Sequence, residues 1–168
     1  MDLSSSNSIS SCIGKLINLN ELTISISSHS MSDKGLIELS SALSSLTSLS
    51  ILSFFVFCMD CGDVEMEHLG NGISKLSHLK FLTIYFWKCK VDFIGMKHIA
   101  EGISCLKSLS FLNFEINDNI LFLDWINILG NEIFKLKNLK VLKIYKKIKD
   151  KFRQLLLKKN RYLVKIMD

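Results

Sequence analysis

Apolar residues in this chain recur at a constant interval of thirty positions. Ile13, Leu43, Ile73, Ile103 and Ile133 open five copies of one frame. Leu16, Leu46, Leu76, Leu106 and Leu136 follow, and then Leu19, Leu49, Leu79, Leu109 and Leu139. The next column is Leu22, Leu52, Leu82, Leu112 and Leu142, and the last is Ile24, Phe54, Ile84, Phe114 and Ile144. One unit of this length cannot bury its own apolar face, so a fixed period predicts units stacked on one another around a shared core. The 168 residues therefore read as a single domain of repeats at 13–42, 43–72, 73–102, 103–132 and 133–162.

Within a unit the apolar period changes. Leu22-Thr23-Ile24-Ser25-Ile26 alternates with period two, as do Leu82 to Phe86 and Leu112 to Ile116. This predicts strands near 22–27, 52–57, 82–87, 112–117 and 142–146, with the Leu and Ile positions inward. In the second half, Leu36, Leu39 and Leu43 are spaced i, i+3, i+7, and Met66, Leu69, Ile73 and Met96, Ile99, Ile103 repeat the spacing. That is one face of a helix. The small residues Ser40, Gly70, Ala100 and Gly130 lie beside it and favour close packing. Each unit is strand, loop, helix, loop, and the strands are expected to be parallel.

The two ends depart from the frame. At the front, Ile9 and Ile13 keep the helix columns, but Ser6 stands where Leu36 would, so the first strand is expected to present an open edge. At the back, Leu156, Leu163 and Ile166 continue the columns of Ile126, Ile133 and Leu136. Residues 147–168 are thus expected to form a basic C-terminal cap helix. Charge follows the same division: the first 145 residues hold 12 Lys/Arg against 14 Asp/Glu, and the last 23 hold 9 against 2. Lys147, Lys151, Arg153, Lys158, Lys159 and Arg161, with Ile148, Phe152 and Leu155, describe an amphipathic cationic helix. Such a helix either caps the last unit with its cations in water or binds an anionic membrane or nucleic acid.

A hydrophobic content of 48% fits a stack whose Leu columns are all buried. The longest apolar run, Phe54 to Met59, is far too short to span a bilayer. Five cysteines, an odd number without paired spacing, read as reduced thiols in the cytoplasm, with the nucleus as the alternative.

Candidate chemistry is sparse. Cys58 and Cys61, with Cys89 one unit on, could supply three thiolates to zinc, but His68 and His98 fall on another face and no fourth ligand follows; no metal or other cofactor is expected. Asp60, Asp63, Glu65 and Glu67 cluster, yet no nearby residue supplies a partner that would split their pKa values, so they read as a solvated rim. No phosphate-cradling Gly-rich loop, His-Glu-x-x-His or Gly-x-Ser-x-Gly occurs, and the chain is not expected to be an enzyme.

The outward strand positions say more. One column reads Glu21, Ile51, Phe81, Phe111, Val141, and two others read Ser25, Phe55, Tyr85, Glu115, Tyr145 and Ser27, Phe57, Trp87, Asn117, Lys147. Ile51, Phe55, Phe57, Phe81, Tyr85, Trp87, Phe111 and Tyr145 would form an apolar patch on the face away from the core, a mark of protein binding. The competing reading has these rings stacking on one another, or lying under the tail, merely to shield the sheet.

The frame Leu-x-x-Leu-x-apolar resembles the leucine-rich-repeat family. Met31-Ser32-Asp33-Lys34-Gly35-Leu36 with Leu39 is similar to its ribonuclease-inhibitor-like branch. The resemblance implies an α/β solenoid, with a curved parallel sheet on the concave side and helices on the convex side. The family's Asn column falls on His29, Met59, Cys89 and Asn119, and its Gly column on Gly35, Glu65, Gly95 and Trp125. The implied function is non-catalytic binding of a protein partner on the concave face. Regulation of a small GTPase, which some members of that branch perform, is an analogy at the level of the fold.

Overall fold

The computed structural model describes residues 4–28, 31–59, 62–89, 91–117, 124–144 and 165–167. Five helices occur among them: α1 (Ser4–Gly14), α2 (Asp33–Leu43), α3 (Asp63–Ser74), α4 (Phe93–Ser104) and α5 (Asp124–Ile133). They alternate with β1 (Glu21–Ser27), β2 (Ile51–Phe57), β3 (Phe81–Trp87), β4 (Phe111–Asn117) and β5 (Val141–Ile144), and β6 (Lys165–Met167) follows. The strands form one sheet in the order β1-β2-β3-β4-β5-β6, and every pair is parallel.

The thirty-residue interval is the register itself. Leu22 lies opposite Leu52, Leu52 opposite Leu82, Leu82 opposite Leu112 and Leu112 opposite Leu142. Even-numbered positions of β2 and β3 are fully buried and odd ones only partly or not at all. The buried positions share one core with Leu36, Leu39, Leu43 and their equivalents, so the helices cover that face. Each Leu removed from water contributes about 2 kcal/mol. In the core Phe86 and Phe114 of adjacent strands meet edge to face, with centroids 6.4 Å apart.

The helix starts follow from local chemistry. Ser32 Oγ accepts from Gly35 N at 3.2 Å and Asp92 Oδ1 accepts from Gly95 N at 2.8 Å, each satisfying a free amide of the first turn. At Gly62 the cap has no side chain, and its N–H instead donates to Glu65 Oε2 at 2.9 Å. After the helices the loops repeat one geometry: Leu46, Leu76 and Leu106 donate their N–H to Leu43, Ile73 and Ile103, each at 3.0 Å. Side chains add rungs between units, where His78 Nδ1 donates to the Thr47 carbonyl at 3.0 Å and Asn138 Nδ2 to that of Lys107 at 2.7 Å.

Close helix packing uses a second small-residue column beside the one the sequence marks. A β-carbon on Gly102 would overlap the carbonyl of Gly70, and one on Gly72 would overlap that of Ser40. A β-carbon on Gly70 would in turn strike the His98 carbonyl. Backbone therefore rests on backbone from α2 through α4, which no larger side chain allows.

The C-terminus corrects one expectation. The cap helix expected over 147–168 lies outside the described residues up to 164, but Lys165–Met167 are a strand, not helix. Val141 pairs with Lys165, an offset of 24 instead of thirty, so the last strand returns six residues early. Ile166 lies opposite Leu142, in the Leu column of the strands and not in that of Leu136. The periodic match that suggested a helix arises because strand columns and helix columns of this stack are both apolar, so an Ile fits either by count.

Candidate functional site

The sheet face opposite the core carries the aromatic residues. Register sets Phe55 beside Tyr85 and Tyr85 beside Glu115; it sets Phe57 beside Trp87, Ile51 beside Phe81, and Phe81 beside Phe111. Two ring clusters result. In the first, Tyr85 lies 6.3 Å from Phe55 and 5.7 Å from Phe57, and Phe57 lies 6.1 Å from Trp87 nearly edge-on. In the second, Phe81 and Phe111 lie 6.0 Å apart. Such pairs contribute about 1 kcal/mol each beyond the area they bury.

The rings shield one another only in part. Ile51, Phe55, Phe57, Tyr85, Trp87 and Phe111 are half-buried, and Phe81 is 45% exposed. Two cations rest on the clusters: Lys88 Nζ stands 4.7 Å from the Trp87 ring centre and Lys143 Nζ 5.5 Å from that of Phe111. Glu115 adjoins Tyr85, and burial raises its carboxyl above the usual range. Tyr145, and the tail residues Lys147, Lys151, Arg153, Lys158, Lys159 and Arg161, lie outside the described residues.

Sequence columns name the rings but not the backbone that ends their strands. Cys58 and Lys88, equivalent positions after β2 and β3, hold φ at 53° and 52°, a left-handed conformation that costs a side-chain-bearing residue about 1 kcal/mol. Cys58 N donates to the Trp87 carbonyl at 2.8 Å, which ties the two strand ends together beside Phe57 and Trp87. Because glycine takes this conformation without strain, Cys58→Gly is expected to raise stability by about 0.5 kcal/mol, read by urea unfolding. An unchanged or lower midpoint would show that the strand end needs the side chain.

The cysteine and acidic candidates resolve differently. Cys89 is buried, and its thiol donates toward the carbonyls of Val56 and Trp87 at 3.5 Å, while Cys58 is exposed and Cys61 lies outside the described residues. Among the described residues no three His, Cys, Asp or Glu side chains gather closely enough to hold a metal ion. The solvated-rim expectation needs correcting at Asp63, which does have a partner one unit away. A hydrogen bond to Asp92, then burial, then the Asp92 charge raise the Asp63 carboxyl. The same hydrogen bond, with that from Gly95 N, lowers Asp92. Asp92 also caps α4, so the pair joins the starts of α3 and α4.

These directions fix a pH dependence. Asp63, raised by folding, stabilises below its unfolded pKa, and that contribution is lost as pH rises through its folded value. Asp92, lowered by folding, stabilises above its unfolded pKa and loses that contribution as pH falls through its folded value. Asp63→Asn would offer Asp92 a donor at every pH. It is expected to raise stability at neutral pH, by less than about 1 kcal/mol, and to gain less in mild acid. Thermal melts at the two pH values check this; an equal gain at both would show that the pair does not share a proton.

A second apolar surface, which the strand columns do not announce, lies at the first turns of α3 and α4, where Val64, Phe93 and Ile94 are exposed. Among the described residues no helix is long and apolar enough to cross a membrane.

No protein-family model and no curated protein matches the chain. Solved structures do resemble it in fold. A structure titled leiomodin-1 actin-binding site 2 aligns with a TM-score of 0.68 at 10% identity, over 94% of this chain and 87% of its own. The tropomodulin C-terminal domain of Caenorhabditis elegans aligns with a TM-score of 0.62 at 13% identity, over 94% and 92%. These likenesses extend over nearly the whole chain and establish a shared parallel-strand α/β architecture.

Proposed function

We propose that this protein is a non-catalytic binding module of the leucine-rich-repeat type, ribonuclease-inhibitor-like in its helical half, which takes a protein partner on the outward face of β2, β3 and β4. In this reading the sheet lines the concave side of a solenoid. The observation that carries it is the pair of half-exposed ring clusters, Phe55-Phe57-Tyr85-Trp87 and Phe81-Phe111, on the face that none of the described helices covers. Rings already held by their neighbours lose little rotamer freedom when a partner covers them, so most of the burial is available to binding.

The leiomodin structure supports a protein partner to the extent that its title describes an actin-binding site on the same architecture. Cytoplasmic placement is part of the same proposal. It draws on Cys12, Cys58 and Cys105, free thiols that are all exposed. The test is affinity capture from native lysate with the intact chain and with Trp87→Ala. A specific protein retained by the first and lost by the second is the expected result, and equal retention by both would overturn the assignment of this face.

A further inference from the structure

The cations of this chain are disposed differently on its two sides. On the helical side Lys34, Lys97 and Lys135 stand 3.9, 3.9 and 2.6 Å from the carboxylates of Glu38, Glu101 and Glu132. On the sheet face Lys88 and Lys143 lie over the rings of Trp87 and Phe111, and no carboxylate pairs with either among the described residues. Two more lysines, Lys80 and Lys140, are exposed where β3 and β5 begin. Against them the outward positions of β2 to β5 hold a single described carboxylate, Glu115, while Glu21 stands on β1 at the end of the sheet.

Covering the rings therefore means covering the ammoniums. A partner that takes water from Trp87 and Phe111 takes it from Lys88 and Lys143 as well, and a cation desolvated without a counter-charge is costly. The partner must supply the acid. Register fixes the spacing: Lys143 is level with Asn113 and Thr83, so it stands two strands and five positions from Lys88. That is roughly 19 Å along the sheet, the reach of about six extended residues. An even interval puts both side chains on one side of an extended chain. The line between the two cations crosses β4 at Glu115, whose carboxyl burial already raises. A third acid would meet like charge there, so the middle of the segment is apolar, as the rings of Tyr85 and Trp87 beside it require.

We infer that the partner presents an extended acidic segment to this face, with two carboxylates about six residues apart on Lys88 and Lys143 and apolar side chains between them over the rings. The inference rests on the proposed binding face and names the chemistry which that face recognises. A nucleic acid would also bring negative charge. Neighbouring rings, however, are tilted against one another by 40° to 76°, and they offer stacked bases no flat platform. Aliphatic and aromatic side chains need none.

The probe is the fluorescein-labelled peptide Ser-Asp-Thr-Leu-Thr-Phe-Thr-Asp-Ser, with its acids at that interval, titrated with the full chain by fluorescence anisotropy. It is expected to bind about 10-fold tighter than the same peptide with Asn for both Asp, and to weaken several-fold between about 50 and about 300 mM NaCl. Lys88→Gln and Lys143→Gln should each remove part of that preference with unchanged circular dichroism, and Trp87→Ala should weaken both peptides. Asp and Asn peptides that bind alike, and are both lost with Trp87→Ala, would overturn the acidic segment and leave the face standing. Binding that survives Trp87→Ala would overturn the face as well. An Asp peptide that does not bind at millimolar concentration would overturn the inference, and so would a thymidine dodecamer that binds tighter and is lost with Trp87→Ala.

Discussion

Replacing Tyr85 and Trp87 together by Ala is expected to weaken partner binding roughly 100-fold or more while leaving the protein folded. Both rings stand on the face away from the helices, in columns with Phe55 and Phe57. Their ring contacts tie them to Phe55 and Phe57, not to the Leu columns. Losing those contacts costs the fold about 1–3 kcal/mol, a loss of a few degrees in Tm for a chain of this size. The loss to binding is larger, because a partner that covers Trp87 gains about 2 kcal/mol or more from that ring alone. Titration calorimetry with the captured partner and a thermal melt, run on the same double variant, separate the two effects. A variant that unfolds would show the rings to be core, and a folded variant with unchanged affinity would place the site elsewhere.

The largest effect on stability is expected at Gly102. Replacement by Val would put a branched side chain into the Gly70 carbonyl, and α4 would have to lift off α3 to admit it. The obstacle is backbone within a helix, so no rotamer change relieves it. A loss of about 3 kcal/mol, and a Tm lower by roughly 10 °C, should follow. Gly14→Ala provides the contrast. Its β-carbon would meet Ala42 Cβ at 3.5 Å, an ordinary contact at the end of α1, and the change should be neutral or stabilising by up to about 1 kcal/mol. Urea titration of the two variants checks both signs. A Gly102→Val protein as stable as wild type would mean that the helices are free to move apart.

Much of this architecture is legible in the order of residues. The interval of thirty becomes the register Leu22 to Leu52 to Leu82, because identical columns bury most area when like lies beside like. Period-two alternation places Phe55, Tyr85 and Trp87 on the outward face for the same reason, since successive strand side chains point to opposite sides. Strand starts read from the pattern differ from those found by a single residue each, the ends of β1 to β4 agree, and residues 145–146 expected in β5 lie outside the described residues. β1 stands at one end of the sheet among the described residues, as the order of the columns predicts.

What the sequence could not decide depends on distances between units. Asp63 and Asp92 are 29 positions apart, and only the stacking of α3 on α4 brings their carboxyls close enough to shift one another. Gly72 and Gly102 look like ordinary weak helix residues until the neighbouring carbonyls are in place. The left-handed Cys58 and Lys88 carry no glycine to announce them; at Cys58 the N–H is held by the Trp87 carbonyl of the next unit. At the C-terminus apolar periodicity misleads: Ile166 fits a helix column by count, yet it pairs with Leu142 as a strand. Periodicity reports which residues leave water, and that is enough to determine the stack and its faces. Which groups meet once they have left water is decided by packing, and packing exists only in the folded chain.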